Sequence, residues 1–225
     1  MVKAVFLDVD NTLLDFEKCS IAAMRQGFEE LGLPYSDKVY ETFLPINTAL
    51  WQAMERGEIT QQDIFDTRWG KIFAALGIDE DGVAFEKRFR RGLHEGAELV
   101  EGAPEILAYI FERYPLYVVS NGPQHQQVYR LEKAGLSQWI TRVFTSEWAG
   151  ASKPERLFFE RCFAELPGLD PADCMIVGDS LTADIAGGAA FGMQTCWFNF
   201  KGIPVPENLQ ADHWVGTLAE LKDIL

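Results

Sequence analysis

The chain has 225 residues, of which 48% are hydrophobic and 24% are charged, a balance typical of a globular protein and not of a disordered one. Its formal net charge of −14 argues against nucleic-acid polymers and membranes as partners, because both are bound through positively charged surfaces. The 4 cysteines are scattered without a C-x-x-C pair, so neither a zinc site nor a redox motif is indicated.

Targeting and membrane segments are not indicated either. The first apolar run already contains Lys3 and Asp8 and is too short for a signal peptide. Residues 185–200 carry no charge, but they contain glycines and fall short of the ~20 residues that a membrane span needs. We therefore expect a cytoplasmic protein that is a monomer or a weak homodimer.

Short runs rich in β-branched or aromatic residues predict strands, and longer helical patterns separate them. In chain order the predicted strands are residues 2–8, 116–120, 143–145, 174–178 and 194–198. They are almost continuously apolar, as strands buried on both faces of a parallel sheet are, and the intervening helices supply the crossovers. The predicted fold class is α/β, with a doubly wound parallel sheet of the Rossmann-like kind.

More than a hundred residues separate the first two predicted strands, which is too much chain for one crossover. Within this gap, apolar residues recur at helical spacing in three stretches, which begin near Ile21, Phe43 and Phe65. Gly57 is a plausible stop for the second helix, and Thr60 with Asp63 resembles a capping box for the third. We therefore predict an inserted α-helical domain at residues 16–95, and a core domain at residues 1–15 and 96–225.

Polar residues stand where the predicted strands end. The first strand ends at Asp8 and Asp10, the second at Ser120-Asn121-Gly122 and the fourth at Gly178-Asp179-Ser180, while Lys153 follows the third by a short loop. Because the carboxyl ends of parallel strands face one crevice, we expect these side chains to converge there.

Clustered carboxylates repel one another unless a cation neutralises them, and Mg²⁺ prefers oxygen ligands. Asp8, Asp10 and Asp179 therefore predict a magnesium site. Asp184, in the helix that follows, is either a first-turn acid favoured by the helix dipole or part of the metal site. Ser120 and Asn121 with the adjacent glycine fit a phosphate cradle, and the proline after Lys153 favours an extended backbone that can aim its ammonium inward.

The ordered set D-x-D-x-T, S-N-G, K-P and G-D-x-x-x-x-D resembles the four motifs of the haloacid dehalogenase superfamily, and the insertion resembles the helical cap of its first cap class. The resemblance implies Asp8 as nucleophile and Asp10 as general acid and then base. It implies phosphate binding by Ser120 and Lys153 and Mg²⁺ binding by Asp8, Asp179 and the Asp10 main-chain carbonyl, with Asp184 supporting these ligands.

Short stretches at residues 47–51, 57–60, 126–128, 131–132 and 195–199 resemble the pyrimidine 5′-nucleotidase branch of this superfamily. This resemblance implies a phosphatase of nucleoside monophosphates. Phe16 follows the catalytic loop, and Trp51 neighbours Leu50 and so points to a different part of its helix surface. We expect either aromatic ring to line the nucleobase side, although packing within the cap itself is an equally good interpretation of both.

Several other functions fit part of the pattern. Sugar-phosphate mutases and phosphoglycolate phosphatases share all four motifs and remain open. A carbon–halogen hydrolase uses the same nucleophile without a metal or an acid two residues later, and Asp10 argues against it. A phospho-acceptor receiver domain also combines clustered Asp, Ser or Thr and Lys on a doubly wound sheet, but the order of these residues is wrong for it and it has no cap.

Overall fold

The computed structural model describes residues 2–208 and 211–225. It divides into two compact units, a core unit formed by Met1–Phe16 with Ala97–Leu225 and a helical unit formed by Glu17–Gly96. No helix within the described ranges has both the length and the apolar character that crossing a membrane requires.

A parallel sheet forms the centre of the core unit, and six strands belong to it within the described residues. They are β1 (Ala4–Leu7), β2 (Leu116–Ser120), β3 (Arg142–Thr145), β4 (Cys174–Gly178), β5 (Gln194–Phe198) and β6 (His213–Val215). Their spatial order is β3-β2-β1-β4-β5-β6, and every neighbouring pair is parallel. The predicted doubly wound parallel sheet is confirmed, and β6 is an additional strand at its edge.

The order of strands reverses at β1, which places the crevice of the sheet beside this strand. From β1 the chain continues outward through β2 and β3 on one side, and through β4, β5 and β6 on the other. Such a reversal separates the loops at the carboxyl ends of the two central strands, and it is where open α/β sheets bind ligands. The loops after β1, β2 and β4 therefore share one crevice.

Alternating side chains of the strands pack into two separate hydrophobic clusters. Val5 and Leu7 belong to one cluster, and Ala4 and Phe6 belong to the other. Each large apolar side chain contributes roughly 1.5–3 kcal/mol on complete burial. Burial on both faces explains why the strands read as continuous apolar runs.

Helices cover the sheet. They are α5 (Ala103–Phe111), α6 (Gln124–Lys133), α7 (Ser146–Ala149), α8 (Arg156–Ala164) and α9 (Gly187–Phe191), together with a π-helical segment at Leu181–Ala186 and 3-10 turns at Ser137–Trp139, Pro171–Asp173 and Leu218–Asp223. The π-helical segment runs directly into α9, just beyond the end of β4. Its wider turn lies where the polar residues after β4 begin.

The helical unit contains most of α1 (Phe16–Glu30) and all of α2 (Asp37–Glu55), α3 (Gln61–Leu76) and α4 (Gly82–Glu95). The helix stop and capping box predicted here are present: Gly57 has a φ of 74°, and Thr60 and Asp63 exchange side-chain and backbone bonds at the start of α3. The periodicity did not single out α4, whose polar face is strongly charged.

Aromatic rings and one buried ion pair form the interior of the helical unit. Fully or almost fully buried rings contact one another there: Phe28, Phe43, Trp69, Phe73, Phe85 and Phe89. Arg68 donates to Glu86 at 2.6 Å and to Asn47 at 2.7 Å, and all three residues are buried. The hydrogen bonds that the Arg68 guanidinium donates compensate for the loss of its hydration.

Two short segments of the core unit pair where the chain leaves it and returns to it, and we call residues 13–15 and 98–100 the neck. Asp15 N donates to Glu98 O at 2.8 Å, and Val100 N donates to Leu13 O at 3.0 Å. Leu14 and Leu99 form an antiparallel bridge between these bonds. The chain thus enters and leaves the insertion through two adjacent, hydrogen-bonded segments.

Candidate active site

The loop after β1 is fixed by backbone hydrogen bonds. Asp8 N donates to the Val177 carbonyl of β4 at 3.0 Å, which continues the strand pairing by one residue. The Val9 carbonyl accepts from three later N–H groups, those of residues 12–14. Asn11 adopts a left-handed φ of 63°, a conformation that asparagine tolerates better than most residues. Asp8 and Asp10 therefore lie on a rigid turn at the carboxyl end of the sheet.

Lys153 donates from a buried position to three oxygen atoms. Its Nζ lies 2.7 Å from Asp8 Oδ1, 2.6 Å from Asp184 Oδ1 and 2.9 Å from the Val119 carbonyl. Burial by itself would lower the pKa of this ammonium, but the attraction of Asp184 and Asp8 outweighs it and raises the pKa above its ordinary value. Lys153 is therefore a fixed positive charge at the centre of the site.

Asp8, Asp179 and Asp184 form a carboxylate cluster in which each residue offers an oxygen within 4.8 Å of the others. Burial, opposed by Lys153, raises the pKa of Asp8 well above its usual range. Burial and then the Asp184 carboxylate raise the pKa of Asp179 to about 7, although part of the Asp179 side chain stays accessible. When all three carboxylates are ionised, they and the one ammonium carry a charge of −2, and the donors are all oxygens, so the cluster fits a hard divalent cation that would itself favour the ionised forms.

The segment after β4 shapes this cluster. Ser180 caps the π-helical segment by accepting from Ala183 N at 3.0 Å, and Ser180 N donates to Asp184 Oδ2 at 3.1 Å. The Trp197 indole donates to the Asp179 carbonyl at 3.0 Å. A side chain at Gly178 would have its Cβ 2.1 Å from Asp184 Oδ2, so only glycine leaves room for this carboxylate. The G-D-x-x-x-x-D pattern therefore has a steric basis.

Ser120 and Asn121, at the end of β2, have different surroundings. Ser120 Oγ accepts from Gly122 N at 3.0 Å, a turn that presents the hydroxyl at the strand end. Asn121 bonds the main chain of Lys153 on both sides, donating to its carbonyl at 2.9 Å and accepting from its N–H at 2.8 Å. Its side chain thus fixes the segment that carries Lys153, and the phosphate contact that the sequence indicates for Asn121 stays a prediction.

Sequence reasoning did not assign a role to two side chains of α6 that contact Asp10. Arg130 Nη1 donates to Asp10 Oδ1 at 2.7 Å, and Gln127 Nε2 donates to Asp10 Oδ2 at 2.7 Å. Both residues are buried, and they are spaced i, i+3 on the helix that follows the Ser120 loop. The signal present in the sequence is their spacing, because Gln127, Arg130 and Leu131 fall at i, i+3 and i+4 and so lie on one side of a helix.

The structure brings Asp8, Asp179, Asp184 and Lys153 together, and it places Asp10 and Ser120 at a second cluster of hydrogen bonds through Gln127. The two aromatic candidates belong to different units. Phe16 is the last residue of the first core segment and is half-buried. Trp51 is half-buried in the helical unit, where it packs on a small cluster of Leu50, Met54 and Ile64.

The sequence model of one protein family, the haloacid dehalogenase-like hydrolases, matches residues 2–192 of the chain. The chain is 34% identical to the HAD-hydrolase YfnB of Bacillus subtilis, over 99% of this chain and 95% of that protein. It is 32% identical to the pyrimidine 5′-nucleotidase PynA of Streptococcus pneumoniae, over 99% and 94% of the two chains. The crystal structure of YfnB bound to magnesium has a TM-score of 0.94 and covers 100% of this chain and 98% of its own.

Proposed function

Since the chain belongs to the haloacid dehalogenase-like hydrolases, we propose that it is a Mg²⁺-dependent phosphatase that hydrolyses a small phosphate monoester through a covalent aspartyl-phosphate on Asp8. One observation carries this proposal. Two carboxylates two residues apart are held by separate cations, Asp8 by Lys153 and Asp10 by Arg130. Such separation suits two different tasks in one reaction, nucleophilic attack and proton transfer.

In the proposed first step, an Asp8 carboxylate oxygen forms a bond to phosphorus while the ester P–O bond breaks. Asp10 donates a proton to the departing alkoxide. In the second step, Asp10 takes a proton from a water molecule that attacks phosphorus, and the bond between phosphorus and Asp8 breaks to release inorganic phosphate. Ser120 and Lys153 bind the phosphate oxygens.

Asp8 and Asp179 of the carboxylate cluster would hold the metal, together with the Asp10 carbonyl, and Asp184 would support them from its bonds with Lys153 and Ser180 N. Bound Mg²⁺ supplies a Lewis acid that offsets the negative charge of the phosphoryl group. The magnesium in the YfnB crystal structure supports this choice of metal. The cluster fits a divalent cation because its three carboxylates, when ionised, carry two more negative charges than Lys153 can neutralise.

A prediction for the metal-free protein follows from Asp179, whose pKa is raised to about 7. The folded protein then retains this proton over a range in which the unfolded chain has released it, so this contribution to stability is complete at acidic pH. It is lost as the pH rises from about 4 to about 7. We expect the Tm of the EDTA-treated protein, relative to that of Asp179→Asn, to fall over this range.

Thermal unfolding at a series of pH values measures this effect. Asp179→Asn is the matched control because its amide has nearly the same shape and does not titrate. Saturating Mg²⁺ should abolish the fall, since the metal binds the ionised carboxylate. A wild-type Tm that rises relative to that of the variant from pH 4 to 7 would contradict the burial-driven shift.

We further propose that the substrate is a nucleoside 5′-monophosphate. The similarity to PynA over almost the whole of both chains supports this substrate class, and it extends over residues 17–96, the unit that carries no catalytic aspartate. Sugar-phosphate and phosphoglycolate phosphatases are the alternatives within the family. We propose that Trp51 or Phe16 contacts the nucleobase, because aromatic stacking on a base is worth roughly 1–3 kcal/mol and tolerates ring substituents.

Trp51→Leu is expected to lower kcat/KM for nucleoside monophosphates by about 5- to 100-fold while leaving a small alkyl phosphate almost unaffected. Phe65→Leu is the matched control, since Phe65 is also half-buried and packs on the same cluster of Leu50, Met54 and Ile64. Steady-state kinetics on both substrates separates the possibilities. Equal losses on the two substrates in Trp51→Leu, or a wild type that prefers sugar phosphates, would contradict the stacking role.

A further inference from the structure

Asp10 is held at both oxygens of its carboxylate by two donors from α6. Arg130 Nη1 lies 2.7 Å from Oδ1, and Gln127 Nε2 lies 2.7 Å from Oδ2. Arg130 Nη1 also donates to Gln127 Oε1 at 3.1 Å, so the two donors are bonded to each other. The three side chains form a closed ring of hydrogen bonds, which permits few other rotamers of Asp10.

Burial differs sharply across this ring. The Arg130 side chain is 0% exposed, whereas the Asp10 side chain is 29% exposed. The donors are therefore immobilised by packing inside the core unit, and the acceptor remains open to water and to substrate. This is the arrangement expected of a rigid support for a group that must meet a reactant.

The same ring reaches the loop after β2. Gln127 Nε2 donates to Ser120 Oγ at 2.8 Å as well as to Asp10. A Cβ at Gly122 would lie 2.3 Å from Gln127 Nε2, so the glycine of S-N-G makes room for this amide. Gln127 thus connects the residue assigned to proton transfer with the hydroxyl assigned to phosphate binding.

Stability alone gives little reason for a buried arginine at this position. Burying a guanidinium requires the loss of its hydration, and replacing a buried ion pair by apolar groups of similar volume is often neutral or stabilising. Asp10 itself could be hydrated without Arg130, because part of its side chain is exposed. The ion pair is therefore better explained by the placement of Asp10.

We propose that Gln127 and Arg130 are positioning residues that fix the side chain of Asp10 relative to the phosphate-binding loop, an inference that rests on the phosphatase function proposed above. In this assignment they bind neither the reacting phosphorus nor the metal, and they act on the reaction through Asp10 and Ser120. Their effect is transmitted through the rotamer of Asp10, so it should disappear when Asp10 can no longer transfer a proton.

A double-mutant cycle of Arg130→Met and Asp10→Asn tests the proposal. Arg130→Met alone should lower kcat/KM for a nucleoside monophosphate by about 10- to 100-fold, since a misplacement of 1 Å can reduce a rate by about 10²-fold. For an aryl phosphate, whose leaving group needs little protonation, kcat/KM should change less than about threefold. In the Asp10→Asn background, Arg130→Met should have almost no further effect.

Rapid mixing with the aryl phosphate gives a second measurement. Arg130→Met should release close to one equivalent of phenol in a burst, followed by slower turnover, because the second step also needs Asp10. Mass spectrometry should detect the phosphoryl adduct on Asp8. Damage to folding would instead reduce the size of the burst. Arg130→Lys keeps a donor and a charge, so it should recover part of the lost activity.

Gln127→Leu is a second variant that removes a neutral amide and no charge, and it should show the same substrate pattern. Additive losses in the double mutant, or equal losses of kcat/KM on aryl and nucleoside esters, would overturn the positioning role. Variants of both residues that match an active wild type would overturn it as well, and would leave the phosphatase intact. A wild type without phosphatase activity or adduct would overturn the proposed function instead.

Discussion

Asp8→Asn is expected to abolish turnover, with a loss in kcat of more than about 10⁴-fold, because the amide cannot form the covalent intermediate that divides the reaction into two easier steps. The substitution conserves volume and removes one of the mutually repelling carboxylates of the cluster, so the fold should be retained. The measurement is hydrolysis of an aryl phosphate with Mg²⁺, with EDTA-treated wild type as the negative control.

Formation of the phosphoryl adduct in two variants makes this test specific. Asp184→Asn also removes one carboxylate that contacts Lys153, but it leaves the nucleophile, so a phosphoryl adduct should still form in that variant. Asp8→Asn should give no adduct under any condition. Near-normal turnover by Asp8→Asn would mean that the reaction does not pass through this carboxylate.

Asp10→Asn is expected to lower kcat/KM for nucleoside and alkyl esters by about 10²–10⁴-fold, the range typical of a lost proton transfer. For an aryl phosphate, kcat/KM should fall much less, because this parameter reports the steps up to formation of the intermediate and the leaving group needs little protonation. The kcat values should fall for both substrates, since breakdown of the intermediate requires a base.

Comparison of the two parameters on the two substrates provides the check. Asn retains the main-chain carbonyl at position 10, so binding of Mg²⁺ by calorimetry should remain close to that of the wild type. If kcat/KM dropped by the same factor for aryl and alkyl esters, the acid role assigned to Asp10 would be wrong.

The sequence predicts the sheet well because strands buried on both faces have a simple signature. The predicted strands at residues 116–120, 174–178 and 194–198 are confirmed at those bounds, and two others differ by one or two residues at their ends. The sequence does not predict β6, because this strand is three residues long and two of them are exposed, so it forms no apolar run.

Contacts between polar side chains that are distant along the chain are predicted less well. Arg130 and Gln127 meet Asp10 across more than a hundred residues, and Arg68 meets Glu86 across eighteen. Helical periodicity identifies which positions are buried, but it does not specify the partner of a buried charge. The two bonds of Asn121 to the main chain of Lys153 are a further example, because they depend on the tertiary placement of a loop.

Gly178 illustrates a steric requirement within the G-D-x-x-x-x-D motif. The pattern alone suggests that Asp179 and Asp184 act together, and the structure gives the reason, because the Asp184 carboxylate occupies the space that a side chain at 178 would need. Sequence patterns of this kind therefore register steric requirements as well as chemistry.

Because of the neck, the inserted segment can be replaced by a different segment without changing how the core unit is connected. Because Asp15 bonds Glu98 and Leu13 bonds Val100, the core brings the two ends of the insertion together itself. The length of the chain between these two ends then has a small effect on the free energy of loop closure. Each halving of a flexible loop lowers this entropic cost by only about 0.6 kcal/mol. Evolution could thus replace residues 17–96 with segments of other sizes while the carboxylates of the core stay in place, which makes this junction a natural point for recombination and for engineered chimaeras.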